Sequence, residues 1–398
     1  MMLAWLAIMS SQVIPAVAGP WRAALDLAGG TLKFRVEVEA AGTALSGKLC
    51  NGQQCDAFSS VLVQGDSVRF ELADYAATIT AAVRGDSLVG YYRNVGNRGP
   101  RVISFRASRG VWPVSAAPAW LAGRWYALFR GSVGDMPRIF EFRNGPAGLE
   151  GTIIGNSGDY SHFSGEAMRD SFALSRFDGS FVYLLAGSLE GDTLRGTFHA
   201  GLKAQTPFVA VRAQGPSPLK PPTAVTRADT TAPFRFAFRD VNGALVQSDD
   251  RQFRGKVVVV DAFGTWCPTC HEAAPALVNL YRSRHAQGLE VVGLAYEVSG
   301  DTAVDGALVR RYRDKFGIPF PLLLAGTNDV DAAAATLPQL QGFTAFPTTI
   351  FIGRDGRVRR VHAGFYGPAT GPQHGALIAA FADEVDRLLS EPVPPQVP

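Results

Sequence analysis

A run of four valines leads almost directly into a pair of closely spaced cysteines, and this feature constrains the fold more than any other. Residues 256–263 read KVVVVDAF, a length and composition that suit a strand buried on both faces of a sheet. After three intervening residues the chain continues with Cys267, Pro268, Thr269 and Cys270. A helical hydrophobic pattern follows, so a buried strand is predicted to feed a C-x-x-C motif at the start of a helix.

The start of a helix is a suitable place for a reactive thiol, because unpaired backbone N–H groups and the helix dipole stabilise an anion there. We therefore expect Cys267, the more exposed of the pair by this geometry, to act as a nucleophilic thiolate. Cys270, one turn into the helix, would resolve the mixed disulfide. A structural disulfide or half of a metal site agrees less well with a C-x-x-C motif after a buried strand.

The motif and its surroundings resemble the thioredoxin superfamily. The sequence WCPTC looks like the superfamily's active site, Pro275 lies where its helices carry a kinking proline, and Phe346-Pro347 is similar to its cis-proline loop. The resemblance implies an α/β thioredoxin fold over residues 234–390, with Pro347 in the cis form and facing the dithiol. It also implies a substrate groove formed by Trp266, Phe346 and Pro347.

Within the superfamily, the layout is similar to TlpA-like and ResA-like proteins with redoxin-type domains. Residues 233–256 resemble their lead-in hairpin, and the long segment before Pro347 leaves room for an extra helix near residues 304–316. The resemblance implies a thiol–disulfide oxidoreductase, most simply a protein-disulfide reductase fed by a membrane or periplasmic thiol donor. It covers residues 230–390 and implies nothing about the preceding half of the chain.

An acidic residue stands where thioredoxin carries the acid that assists its second cysteine. Asp261 lies six residues before Cys267 and would be buried near the dithiol, where a carboxyl group with a raised pKa can accept a proton. The structural alternative is a carboxylate satisfied by the backbone at the strand end. Many TlpA-like reductases instead carry Glu three residues after the second cysteine, where this chain has Ala273; the neighbouring Glu272 is expected on another helix face.

The same residues also have a rival interpretation. Cys267 to His271 spells C-x-x-C-H, the attachment motif of c-type haem, which would consume both thiols and use His271 as an axial ligand. A cytochrome does not explain the buried strand, Trp266 or the Phe346-Pro347 loop, so the redox dithiol is favoured and His271 is expected to be an exposed side chain. The other histidines show no ligand spacing, and we expect neither a metal nor a cofactor.

The N-terminal half of the chain repeats itself. A GDSLVG motif returns as GDTLRG, and the GPW ending at Trp21 returns as GRW ending at Trp125, with offsets of 104 to 106 residues. Short alternating segments between Gly-rich turns predict two antiparallel barrel-like β modules, at residues 19–112 and 113–213. The G-x-W opening resembles lipocalin-like and avidin-like barrels. We expect both tryptophans to fill barrel cores; a ligand cup or docking surface is the functional alternative.

The N-terminus and a second cysteine pair indicate the compartment. Residues 3–17 are mostly apolar and an A-x-A triplet lies at residues 16–18, which predicts a cleaved signal peptide at residues 1–18. The protein is therefore expected to be periplasmic or secreted, or membrane-associated if the segment is retained. Cys50 and Cys55 enclose a turn-like NGQQ, and in an exported chain we expect them to form a structural disulfide, with a second redox pair as the alternative.

Two further segments complete the organisation. Residues 214–233 form a Pro-rich linker, and residues 391–398 are expected to be a flexible tail. With 38 basic and 35 acidic residues the formal net charge is +3, which excludes a strongly basic nucleic-acid binder. The sequence thus predicts an exported thiol–disulfide oxidoreductase that acts on disulfide-containing envelope proteins. The alternative is a ligand- or partner-binding β-module protein with an accessory redox domain; the oligomeric state is not indicated.

Overall fold

The computed structural model describes residues 17–95, 99–132 and 134–393. The expected signal peptide at residues 1–18 and the expected tail at residues 391–398 therefore lie mostly outside the described residues. The chain divides into two compact units, the second of which combines Ile154–Ser161 with the residues from Leu219 onward. The sequence-based boundaries place residues 154–161 in the second repeat instead.

The first repeat is an antiparallel sheet of nine strands in the described residues. Inward and outward side chains alternate along its strands, as expected for a sheet with one buried face. The strands are β1 (Gly19–Leu27), β2 (Gly30–Ala41), β3 (Ala44–Asn51), β4 (Gln54–Ala57), β5 (Ser60–Gln64), β6 (Ser67–Leu72), β7 (Ala77–Arg84), β8 (Ser87–Asn94) and β9 (Arg101–Arg109), with a 3-10 turn at Ala73–Tyr75. Their spatial order is β4-β3-β2-β1-β9-β8-β7-β6-β5.

The second repeat has the same strand count over its described residues. Its strands are β10 (Gly123–Gly131), β11 (Gly134–Gly145), β12 (Gly148–Gly155), β13 (Gly158–Asp159), β14 (Phe163–Met168), β15 (Ser171–Phe177), β16 (Val182–Glu190), β17 (Thr193–Ala200) and β18 (Ala204–Arg212). Their order is β11-β10-β18-β17-β16-β15-β14-β12-β13, and an additional β11–β12 pairing closes the sheet into a barrel.

The two repeats bury equivalent tryptophans in equivalent surroundings. Trp21 and Trp125 are at most 1% exposed, and each indole N–H donates to the carbonyl four residues earlier at 2.8 Å. An arginine lies over each ring, Arg109 at 4.0 Å and Arg212 at 4.1 Å from the ring centroids. These matching contacts show that the internal sequence repeat is a structural repeat and that both tryptophans are core residues.

Direct hydrogen bonds join the two repeats within the first unit. The Asn51 amide donates to the Phe177 carbonyl at 2.6 Å and accepts from the Phe177 N–H at 2.9 Å, while the Tyr92 hydroxyl donates to the Gly179 carbonyl. Cys50 and Cys55 lie opposite each other on β3 and β4 and form a disulfide. The repeats therefore form one continuous structure.

The second unit contains a mixed sheet of seven strands in the described residues, and a separate strand pair. Its elements are α1 (Pro222–Val225), β19 (Arg227–Ala228), β20 (Ala237–Asp240), β21 (Leu245–Gln247), β22 (Val257–Phe263), α2 (Pro268–Arg284), β23 (Leu289–Glu297), α3 (Thr302–Phe316), β24 (Leu322–Thr327), α4 (Val330–Thr336), β25 (Leu340–Gln341), β26 (Thr348–Ile352), β27 (Val358–Ala363) and α5 (Pro372–Leu389), with 3-10 turns at His285–Gln287 and Pro368–Thr370. The sheet order is β21-β20-β24-β23-β22-β26-β27, and β19 pairs with β25.

The valine-rich strand β22 lies inside this sheet, parallel to β23 and antiparallel to β26. Val259 and Phe263 belong to the core that includes α2 and α5, whereas Val258 and Val260 belong to the core on the other face. Because side chains alternate along a strand, Asp261 projects from the face that α2 covers. The predicted fold class, two antiparallel barrel-like repeats followed by a thioredoxin-fold domain, is confirmed.

No helix among the described residues is long and apolar enough to cross a membrane.

Candidate active site

The dithiol lies at the first turn of α2. Cys267 is the N-cap residue, Pro268 is the first helical residue, and the Cys270 N–H donates to the Cys267 sulfur at 3.3 Å. Both thiols are free, and both residues are buried, with exposures of 3% for Cys267 and 1% for Cys270. The first-turn N–H of Cys270 therefore points at the sulfur of Cys267.

The predicted groove residues lie together around Cys267. The Phe346–Pro347 peptide bond is cis, as expected, and the Cys267 thiol donates to the Phe346 carbonyl at 3.7 Å. The Trp266 indole packs edge-on against the Phe346 ring with centroids 5.7 Å apart, and its N–H donates to the Tyr296 carbonyl at 2.8 Å. One face of the dithiol is thus bordered by an aromatic pair and by the backbone of the proline loop.

Asp261 is buried on the α2 face of β22, with 5% of its surface exposed. Burial raises the pKa of Asp261 to about 7, although the Thr349 hydroxyl donates to this carboxylate at 3.2 Å. Burial also raises the pKa of the Cys270 thiol well above its usual value, and the neighbouring Cys267 and Asp261 raise it further. A carboxyl group that gains or loses its proton near neutral pH therefore acts electrostatically on the second thiol.

A second buried acid lies beside the dithiol and was not anticipated from the sequence. Glu297 is 1% exposed and accepts from the Thr265 N–H at 2.8 Å and from the Thr265 hydroxyl at 2.6 Å. Burial raises the pKa of Glu297 to about 7 against the effect of these hydrogen bonds. Its signal in the sequence is an acidic residue that ends the apolar strand next to β22, two residues beyond Ala295, the partner of Phe263.

The expectation that His271 is exposed is wrong. The imidazole is 8% exposed and lies edge-on to the rings of Tyr312 and Phe316, with centroids 5.0 and 5.4 Å away. Its Nε2–H donates to the Thr265 carbonyl at 2.7 Å. The Tyr312 hydroxyl in turn donates to the Cys270 carbonyl at 2.8 Å, so His271 and Tyr312 both hold the first turn of α2 in place.

The helix position that holds Glu in many TlpA-like reductases is apolar in this chain. Ala273 is buried in the core beneath α2, with 3% of its surface exposed. Glu272 points elsewhere, and one of its oxygens accepts from the Ser161 hydroxyl at 2.6 Å. Within the described residues, no group of three or more metal-binding side chains is found. The buried acids of the site, Asp261 and Glu297, come instead from the sheet.

Comparison of the sequence with known proteins identifies the family of this chain. The sequence model of the redoxin family matches residues 227–371. The thiol-disulfide oxidoreductase ResA of Geobacillus thermodenitrificans is 30% identical over 135 residues, which make up 34% of this chain and 68% of that protein. The chain belongs to the TlpA/ResA-like group of the thioredoxin superfamily. The redoxin match does not include the two N-terminal repeats.

A second ResA protein and one solved structure also match part of this chain. ResA of Halalkalibacterium halodurans is 30% identical over 130 residues, and the chain spans 65% of the length of that relative. A solved thiol:disulfide interchange protein of the thioredoxin family from Chlorobium tepidum is 25% identical. It covers 41% of this chain and 99% of its own chain, with a TM-score of 0.32.

Proposed function

We propose that this protein is a thiol–disulfide oxidoreductase that reduces disulfides of protein substrates through Cys267 and Cys270. The observation that carries the proposal is the position of the Cys267 sulfur, which accepts a first-turn N–H of α2 and lies beside the Phe346–Pro347 loop. A sulfur at this position receives a backbone N–H and has a backbone edge beside it, along which a substrate can align.

The reaction takes two steps and moves two electrons from the dithiol to the substrate. The Cys267 thiolate attacks one sulfur of the substrate disulfide, which forms a mixed disulfide and releases the other substrate sulfur as a thiolate. Cys270 then passes its proton to Asp261 and attacks the sulfur of Cys267. The second substrate sulfur leaves as a thiolate, and Cys267 and Cys270 remain joined by a disulfide.

Asp261 suits the role of proton acceptor in the second step. The Cys270 thiol has a raised pKa and needs a base before it can attack. A carboxyl group with a pKa of about 7 is partly ionised at neutral pH, which is the condition under which general base catalysis is efficient. Trp266, Phe346 and Pro347 form the proposed substrate groove.

Cysteine substitutions test this mechanism. With insulin as substrate and dithiothreitol as reductant, Cys267→Ser is expected to abolish turnover, because no attacking thiolate remains. Pre-reduced Cys270→Ser, mixed with insulin in the absence of dithiothreitol, is expected to trap a mixed disulfide, detectable by mass spectrometry. The matched control is the double variant Cys50→Ser/Cys55→Ser, which removes two sulfurs in the first unit and is expected to retain turnover. Full turnover by Cys267→Ser would contradict the mechanism.

We also propose that the protein works outside the cytoplasm on envelope proteins, as a reductase fed by a membrane or periplasmic thiol donor. The N-terminal apolar segment with its A-x-A triplet supports export. The Cys50–Cys55 disulfide supports an oxidising compartment. Sequencing the N-terminus of the mature chain tests export, because a chain that still begins at Met1 would contradict signal cleavage.

An equilibrium redox titration tests the direction of electron flow. Carried out on the Cys50→Ser/Cys55→Ser variant, it reports only on the pair Cys267 and Cys270. A potential near about −270 mV, the value of thioredoxin, supports a reductase. A potential near about −120 mV is typical of a strong oxidant that installs disulfides, and it would reverse the proposed direction.

A cavity favours a second candidate function, ligand binding by the β repeats. Its volume is about 350 Å³, and side chains from both repeats line it. Trp112 forms part of its wall, the Lys33 ammonium lies 4.9 Å from that ring centroid, and Lys33 pairs with Glu166 at 2.5 Å. A thermal-shift screen of small amphipathic molecules tests this function; a ligand that stabilises the wild type and not Trp112→Ala would support it.

A further inference from the structure

A short hairpin belongs to the same compact unit as the dithiol although it lies more than 100 residues earlier in the chain. We name Ile154–Ser161 the strap. Its strand β13 pairs with the end of β12, and Gly158 forms a parallel β-bridge with Phe365, two residues after β27. The Asp159 N–H donates to the Phe365 carbonyl at 3.2 Å. The strap therefore pairs with the backbone edge of the loop at residues 364–367.

Asp159 holds the strap, this loop and the active-site helix together. Its carboxylate is 2% exposed and accepts from the Gly367 N–H at 2.6 Å and from the Ser161 N–H at 2.9 Å. Its backbone carbonyl accepts from the hydroxyl of Thr269, which lies between the two cysteines, at 3.5 Å. Ser161 adds a 2.6 Å hydrogen bond to Glu272 in the next turn.

Two glycines make this close approach sterically feasible. Gly158 has φ +102°, and a Cβ at this position would overlap the backbone of Phe365. Gly364 has φ +80°, and a Cβ there would overlap the backbone of Ser157. Both positions favour glycine for two reasons: the backbone has a positive φ, and a side chain would overlap the opposite backbone. The close contact therefore depends on one glycine in the strap, Gly158, and one in the opposing loop, Gly364.

The strap completes a closed series of hydrogen-bonded segments that includes the first turn of α2 and the proline loop. The Gly364 N–H donates to the Pro347 carbonyl at 2.7 Å, so the loop that carries the strap also adjoins the proline loop. Cys267, which precedes this turn and contacts the proline loop, is only 3% exposed. An extended peptide binds most readily by pairing with a free backbone edge, and the strap already occupies the edge of Phe365. A substrate therefore has to reach the sulfur without using that edge.

We propose that the strap is a wall that determines substrate specificity, admitting small or protruding disulfides to Cys267 and restricting access for disulfides held in folded proteins. Asp159 is the positioning residue of this wall, because it ties the strap to both Gly367 and Thr269. The proposal rests on the oxidoreductase function proposed above and specifies which substrates that function accepts.

Displacing the strap tests the proposal. Gly158→Ala places a Cβ against the Phe365 backbone and is expected to displace the strap from the loop at residues 364–367. The pre-reduced full-length protein is mixed with excess disulfide, and oxidation of the pair is followed by alkylation and mass spectrometry. The rate constant with insulin is expected to rise at least about fivefold, while that with bis(2-hydroxyethyl) disulfide changes less than about twofold. The redox potential of the pair is expected to stay unchanged.

Two further variants make the result decisive. Gly243→Ala is the matched control, because Gly243 also has a positive φ of +88° and a Cβ there meets no neighbouring atom within 4 Å. This control is expected to behave as the wild type. Asp159→Asn keeps the side-chain volume but weakens the carboxylate contacts, and it is expected to raise the insulin rate constant by a smaller factor. If Gly158→Ala does not fold, Asp159→Asn alone tests the proposal.

The possible failures are distinguishable. Equal changes with both disulfides, a fall in the insulin rate constant, or wild-type behaviour of both strap variants would overturn the specificity wall. In all three cases a wild-type protein that reduces insulin would leave the proposed oxidoreductase function intact. A wild-type protein whose dithiol reacts with neither disulfide would overturn the oxidoreductase function itself.

Discussion

Replacing Asp261 by Asn is expected to have opposite effects on two properties of the second unit, its stability and its reaction rate. Asn has nearly the same shape as Asp, and its carbonyl can still accept the hydrogen bond that the Thr349 hydroxyl donates. The substitution removes only the ability to ionise. We expect the variant to be more stable than the wild type at alkaline pH and slower in the step that resolves the mixed disulfide.

The size of the stability change follows from the pKa. The pKa of Asp261 is about 7 in the folded protein against an ordinary 3.8, so the folded state holds this proton more tightly than the unfolded chain. Between these pH values the unfolded chain is ionised and the folded carboxyl is not, and the free energy of unfolding falls as pH rises. About three pKa units at about 1.4 kcal/mol each amount to about 4 kcal/mol.

Asp261→Asn is therefore expected to add up to about 4 kcal/mol to the free energy of unfolding at pH 8, and less than about 1 kcal/mol at pH 4. Urea unfolding of the reduced protein, followed by hydrogen exchange of peptides from β22, isolates the second unit. Resolution of the mixed disulfide is expected to slow at least about 100-fold. An equal stability change at both pH values, or a loss at pH 8, would refute the assignment of Asp261 as a buried acid.

Two other substitutions test the remaining structure. Burial raises the pKa of Glu297 from 4.5 to about 7, so Glu297→Gln is expected to stabilise the second unit by about 3 kcal/mol at pH 8 and much less at pH 4; the same urea series checks it, and a pH-independent effect would contradict it. Trp125→Ala removes a core indole and is expected to cost the first unit about 3–5 kcal/mol in thermal unfolding. The control Val211→Ala, at a residue 49% exposed, is expected to change stability by less than about 0.5 kcal/mol; equal effects would show that Trp125 is not a core residue.

The heart of the candidate site could be predicted because its residues are close together in the sequence. Asp261, Cys267 and Cys270 lie on one strand, one short turn and one helix, and the alternation of side chains along β22 places the acid on the helix face. The repeat of Trp21 at Trp125 was equally visible, because each module needs the same large side chain in its core. Local geometry and periodicity carry such information.

Residues that reach the site from other elements could not be predicted in this way. Glu297 meets Thr265 because β22 and β23 are parallel in a register that pairs Phe263 with Ala295. His271 is buried because α3 covers it with Tyr312 and Phe316. Neither a strand register nor the packing of a distant helix leaves a pattern in the sequence around the residue that it affects.

The sequence by itself determined the order of the modules and the place of the dithiol, since both depend on short motifs whose backbone geometry is local. Only the tertiary structure decided what surrounds the dithiol. The strap and the loop that it contacts are joined by Asp159 and Gly367, which are 208 residues apart in the chain. Gly158 and Gly364 look like ordinary turn residues in the sequence. That they allow two backbones to approach closely is evident only in the folded structure, where the two segments meet.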